Sequence, residues 1–280
     1  MRSSFNVTVA LRHTLLIALS LIVAFPFFWM LTSSLKTNEE IWRFPPLLWP
    51  DNPMWGNFAE AWNAAPFALY LFNSVFVALV IMIIQIVNSS MMAYALTHMK
   101  FLFRNSLMVA ILVTYMLPAA ATYLPGYIIL SELQLLDTYA GLIISNSVSV
   151  FSIFLTRQAF MQLPKEMVEA AKIDGASHWR ILTGILIPLS KSTFVVMSIL
   201  TFISQYNNYF WPMLITKSPE LSLISVGLRS FFIEGGAYGL KWPLIMASSS
   251  FTIVPLIVLF IIAQKWIIGG VNNAFGVNKG

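Results

Sequence analysis

The chain has 280 residues and a formal net charge of +5, and its composition is 58% hydrophobic but only 10% charged. Soluble domains carry roughly a quarter charged residues, so a mean hydropathy of +0.78 excludes a water-exposed fold, a soluble all-α core included. Cysteine is absent and the three histidines (His13, His98, His178) have no metal-ligand spacing, which leaves no disulfide, thiolate metal site or metal centre to expect.

Cutting the sequence at every Asp, Glu, Lys and Arg leaves six long windows: 14–35, 61–97, 105–131, 138–156, 192–216 and 242–264. A helix needs about 20 apolar residues to cross the hydrocarbon core. The expectation is an all-α polytopic membrane protein with six transmembrane helices in a single domain, 1–280. With the amino terminus in the cytoplasm, inside segments hold eleven Lys and Arg and outside segments five. That bias places both termini inside.

The first window follows Arg2 and Arg12 like a signal peptide, but its apolar run is too long and no small-residue cleavage site follows it. It reads as a retained span, near 14–35, kinked at Pro26. Residues 36–68 form an outer loop with Trp42, Trp49, Trp55 and Trp62, a pattern of interfacial anchors rather than sugar-stacking platforms. Further spans are expected near 69–97, 106–129 (with Pro118 and Pro125), 138–158, 190–212 and 243–266, followed by a polar, extended tail. No repeat is evident, which disfavours inverted-repeat secondary transporters.

The windows hold no ionisable residue of the kind that proton- and voltage-coupled machines need at depth. Neutral polar groups are plentiful. Many suit close helix packing; others suit a path for a neutral, hydroxyl-rich solute. Gln85 and Asn88, three apart, share a helix face and are candidates for that path, as are Tyr115, Tyr206, Asn207 and Asn208, with aromatic faces and amides apt for sugar rings. No phosphate loop, Ser-His-Asp set or paired carboxylates occur, so no catalytic residue is expected and energy for uphill transport must come from elsewhere.

One stretch breaks the oily pattern. In "LPKEMVEAAKIDGASHWRILTGILIPLSK" (163–191), Lys165, Glu166, Glu169, Lys172, Asp174 and Arg180 fall within sixteen positions. Pro164 suits a first helical turn, Asp174-Gly175 a stop and Ser177 a new cap, which together predict a helix–turn–helix over 163–189 on the cytoplasmic surface. A solvated loop would not require the fixed pattern E-A-A-x3-G-x9-I-x-x-P, filled here by Glu169, Ala170, Ala171, Gly175, Ile185 and Pro188.

With that pattern, and with "LQLLDTYAGLII" (133–144), "FMQLPKEMVEAAKIDGAS" (160–177), "IPLSKS" (187–192) and "NNYFWPMLI" (207–215), the chain resembles the inner-membrane permeases of type I ABC importers. The likeness is to the carbohydrate group typified by the smaller maltose permease. Departures are Ile187 for a leucine, Ser192 for a proline and Tyr206 for a tryptophan. The resemblance implies a non-catalytic subunit of the bacterial plasma membrane. Its implied partners are a second permease, two copies of a cytoplasmic ABC ATPase that binds ATP and Mg, and an extracytoplasmic solute-binding protein. The chain itself would bind no cofactor.

Glu169, Ala170, Ala171, Asp174, Gly175, Ile185 and Pro188 would couple to the ATPase, Glu169 meeting an arginine there. The tail from Gly269 to Gly280 would reach the ATPase dimer interface, and the outer loop 230–243, with Gly235, Gly236 and Gly239, would contact the binding protein. The implied solute is a sugar, an oligosaccharide above all, with glycerol phosphate or a phosphodiester as the alternative. A secondary transporter is a more distant alternative, and a membrane-embedded enzyme or scaffold a third class; neither accounts for the loop.

Overall fold

The charge-free windows become helix. The computed structural model describes residues 7–236 and 241–274, without a strand among them. In chain order the helices are α1 (Val7–Ser34), α2 (Asn38–Trp42), α3 (Gly56–Ala64), α4 (Phe67–His98), α5 (Arg104–Tyr115), α6 (Ala119–Glu132), α7 (Tyr139–Ile144) and α8 (Val150–Met161). There follow α9 (Lys165–Ile173), α10 (His178–Ile181), α11 (Ile187–Leu189), α12 (Lys191–Tyr206), α13 (Phe210–Ile215), α14 (Ile224–Gly236) and α15 (Trp242–Ala274). Leu182–Leu186 joins α10 to α11 as a π-helical turn.

Three windows form unbroken membrane-length helices: Thr8–Ser34, Phe67–His98 and Trp242–Lys265. α1 stays one helix through Pro26. The windows expected as spans near 106–129, 138–158 and 190–212 are interrupted instead. α5 and α6 meet at 102°, because Pro118 lacks an N–H and forces Leu117 out of the helical region. Pro125, inside α6, does not end it. α7 and α8 are separated by Ser145–Ser149, and α12 and α13 by Asn207–Tyr209; α12 also turns 82° from the helical run His178–Leu189 at Ser190. At 1.5 Å per residue the 16 residues of α12 reach about 24 Å, short of a full crossing.

The carboxyl end also departs from expectation. α15 continues to Ala274, through Gly269 and Gly270, where an extended tail is predicted from Trp266. Each glycine weakens a helix by only about 1 kcal/mol, which does not terminate a 33-residue element. Residues 275–280 lie outside the described residues.

The chain divides into two units: Met1–Phe67 with Gly227–Val254, and Ala68–Val226 with Pro255–Gly280. In the first, Phe58, Trp62 and Phe67 surround Phe251 with ring centroids 5.0–6.0 Å away. Lys36 is fully buried there. Its Nζ donates to the Leu47 carbonyl at 2.6 Å and sits 3.9 Å above the Trp29 ring, contacts that, with the nearby Glu40 carboxylate, offset the cost of burying an ammonium. Thr37 and Glu40 form a reciprocal capping box at α2.

The second unit has two main packing clusters. One gathers Val77 and Ile81 of α4 with Leu130, Leu142, Trp211 and Ile215. The other joins Ala93 and Tyr94 of α4 to Phe160, Val168, Ile181, Leu186, Phe194 and Met197, and so seats α9 and α10 on the end of α4. The two connect through a stripe of polar contacts along α4, since helix association inside a membrane relies on close packing and interhelical hydrogen bonds.

Candidate functional site

The charged stretch folds as its sequence predicts. α9 has Glu166 in its first turn and Lys172 in its last, both favourable to the helix dipole. Pro164 stands at its N-cap, just before the first turn. Gly175 has φ +78, a left-handed conformation that ends the helix at low cost only for glycine. The Ser177 hydroxyl then accepts from Arg180 N and starts α10.

The loop has two faces. Val168, Ile181, Leu182 and Leu186 are buried, with Ala171 and Ala176 packed beside them. Glu169, Ala170, Asp174, Gly175 and Pro188 are exposed and Ile185 is half-buried. Among the described residues Glu169 forms no hydrogen bond or ion pair, and a side chain added at Gly175 would meet nothing within 4 Å. The loop therefore presents the free carboxylate of Glu169, with that of Asp174 beside the turn, on a surface of small side chains, an arrangement that admits a close-packed basic partner.

The other candidates fall on the interruption of the fourth window. Main-chain groups unpaired at membrane depth cost several kcal/mol each, so an unwound segment survives only where protein or an aqueous cavity satisfies it. Here α4 does so. Gln85 Nε2 donates to the Asn146 carbonyl at 2.7 Å and Asn88 Nδ2 to the Ser147 carbonyl at 3.1 Å. The Thr201 hydroxyl of α12 donates to Gln85 Oε1 at 3.3 Å. Ser149 restarts the helix, its hydroxyl accepting from Ser152 N.

This clasp borders a cavity of about 740 Å³ lined by Gln85, Tyr115, Asn146, Ser149, Thr201 and Gln205 among others, none of them charged. A neighbouring cavity of about 470 Å³ shares Thr122, Ser145 and Asn146 and adds Tyr123, Asn208 and Trp211. Trp211 Nε1 donates to Ser145 Oγ at 2.9 Å, and the Tyr123 ring stacks on Trp211 at 5.7 Å.

Gln85, Tyr115 and Asn208 thus line cavities. Asn88 serves the interruption. Asn207 caps α12 and is exposed. Tyr206, expected on the path, lines neither cavity: it is fully buried and stacked on Phe202 at 5.8 Å, because it lies on the packed side of α12. Thr201, Gln205 and Asn146 are additional lining groups. The four-residue spacing of Thr201 and Gln205 is their sequence signal; Asn146 has none, because its carbonyl matters and not its side chain. Gly235 and Gly236 end α14 as helix and not as loop, held there by the continuing main-chain ladder; Gly239 lies outside the described residues.

Residues 85–272 match the family described as "Binding-protein-dependent transport system inner membrane component", and the chain belongs to that family. It is a permease subunit of a binding-protein-dependent ABC importer, a multi-pass inner-membrane protein with no catalytic role. It is 34% identical over 268 residues to the sn-glycerol-3-phosphate transport system permease protein UgpE of Yersinia enterocolitica, covering 94% of this chain and 95% of that one. The protein of the same name from Agrobacterium fabrum is 33% identical, covering 93% and 94%. Among solved structures, a bacterial ABC transporter involved in the import of the acidic polysaccharide alginate superposes with a TM-score of 0.81 at 22% identity, over 95% of this chain and 98% of that one. That likeness concerns the fold alone.

Proposed function

We propose that this permease passes an uncharged, polyhydroxylated solute, a sugar and above all an oligosaccharide, through a path that it forms with a second permease. The observation that supports this reading is the charge-free lining of the 740 Å³ cavity. Amides, hydroxyls and the Tyr115 ring match the donors, acceptors and apolar faces of a sugar. A phosphate monoester would meet no cation on this side, and an unpaired anion away from water is strongly disfavoured. The second reading, glycerol phosphate or a phosphodiester, draws on the names of the 34%-identical relatives and requires the partner permease to supply the cation.

In this proposal two copies of a cytoplasmic ATPase bind ATP and Mg and grip the 163–189 loop through Glu169, Ala170, Ala171, Asp174, Gly175, Ile185 and Pro188. The loop and both termini lie in the cytoplasm. An extracytoplasmic binding protein delivers solute near Gly235 and Gly236. Affinity resides chiefly in that protein, so the test is calorimetry on the binding protein encoded beside this chain. Binding of oligosaccharides supports the first reading; binding of glycerol 3-phosphate with no response to sugars replaces it with the second.

A further inference from the structure

We propose that the hydrogen bond between Tyr94 and His178 is the pin through which movement of the 163–189 loop reaches α4 and, through it, the interruption at Ser145–Ser149. The inference rests on the loop being the ATPase contact and adds the route by which its motion reaches the cavity. Tyr94 Oη lies 2.6 Å from His178 Nδ1, close for a neutral hydrogen bond. When the imidazole carries its proton on Nε2, the phenol donates to Nδ1. Tyr94 is buried while His178 opens α10 at the exposed surface. The two rings meet edge-on at 5.7 Å, and the His98 ring lies 5.6 Å from Tyr94 on the same helix. A second, longer tie runs from Lys172 Nζ to the His98 carbonyl at 3.4 Å. The loop is therefore joined to the end of α4 from both α9 and α10.

Position along α4 explains why this bond is placed to transmit. Gln85 and Tyr94 are nine residues apart, about 13.5 Å and two and a half turns at 3.6 residues per turn. They project to opposite sides, so α4 stands between the loop and the interruption. Between them Ser89 and, from α8, Thr156 both direct hydroxyls at Met197 Sδ of α12, at 3.6 and 3.4 Å. Three helices are thereby gathered at one level. A displacement of α4 is bound to move the two carbonyls that Gln85 and Asn88 hold. The apolar contacts of the loop with α4 are non-directional and permit sliding, whereas the Tyr94–His178 bond fixes both distance and rotation.

The chain has no cysteine, which permits a direct test in the assembled transporter, with any accessible thiols of its partners removed. Spin labels at V148C and L200C, both on the cavity wall, report its width with and without MgATP and vanadate. The parent is expected to change its label distance on trapping. Tyr94→Phe is expected to hold the nucleotide-free distance while the ATPase still copurifies. His178→Ala is expected to behave alike, and His178→Gln, whose amide oxygen can accept from the phenol, to restore the change. An unaltered change in both Tyr94→Phe and His178→Ala overturns the proposal, as does a parent that binds ATPase without any change. A parent that captures no ATPase overturns the coupling reading beneath it, a separate and recognisable failure. A structural role alone for Tyr94 would lower stability without dissociating nucleotide trapping from the distance change.

Discussion

The side-chain amide of Gln85 donates to the main-chain carbonyl of Asn146 at 2.7 Å, across 61 residues of sequence. Carbonyls at a break between two helices are held by a neighbouring helix, and the same carboxamide accepts from Thr201. Replacing Gln85 by leucine keeps the bulk and leaves both partners unpaired, at a cost of about 1–3 kcal/mol for a buried polar group left unsatisfied. A lower thermal midpoint in detergent and slower uptake are expected. A midpoint equal to that of the parent would show that water or another donor replaces the amide.

Asp137 carries the pH prediction. Its carboxylate accepts from the Ser218 hydroxyl and from the main-chain N–H groups of Ser218 and Lys217, while its own N–H donates to the Ile215 carbonyl. The Ser218 hydroxyl foremost, then the two amides, hold its carboxyl below the usual aspartate value. A carboxyl lowered on folding contributes stability that is complete above the unfolded value of about 3.9 and is lost as pH falls through the folded one. Thermal scans from neutral pH to pH 3 are expected to show a decline below about pH 4 that Asp137→Asn flattens. Asparagine tolerates the positive φ of 55 found here, so the variant isolates the charge.

Gly141 is a steric requirement. A Cβ there would stand 2.1 Å from the Leu135 carbonyl oxygen, whereas one at Gly184 would meet nothing within 4 Å. Gly141→Ala is expected to destabilise by about 1–3 kcal/mol or more, as overpacking does, and to open the turn that leads into α7. Gly184→Ala is expected to be neutral or stabilising. Comparing the two thermal midpoints checks both statements.

The exposed loop face predicts two uncoupling variants. Glu169→Lys reverses an exposed, unengaged carboxylate of the motif. Gly175→Pro demands φ near −65° where the chain has +78. Both are expected to insert in the membrane at parental levels and to reduce ATP hydrolysis by the reconstituted complex to its rate without binding protein. Undiminished stimulation in lipid would remove the loop from coupling.

Sequence disclosed the helical windows, because membrane cost is set by charge and the windows lack it. It disclosed the loop almost residue by residue, because Asp174, Gly175 and Ser177 act on their own backbone, within three or four positions. The interruptions at 145–149 and 207–209 were not legible. Hydropathy reports the affinity of side chains for lipid and is blind to whether the backbone beneath them is hydrogen-bonded within its own turn. The donors that stabilise Ser145–Ser149 sit on α4, some sixty residues earlier. Tyr206 and Lys36 mislead for a related reason. A tyrosine beside two asparagines suggests a wet wall, and a lysine after a span suggests solvent, yet rotation of α12 and the Leu47 carbonyl with the Trp29 ring bury them.

The clasp also bears on how the protein is made. Translation proceeds from the amino end, so the amides at positions 85 and 88 are laid into the bilayer before the carbonyls at 146 and 147 leave the ribosome. The donors wait for the acceptors. A chain that emerged in the opposite order would deliver naked carbonyl groups to hydrocarbon and have nothing there to receive them.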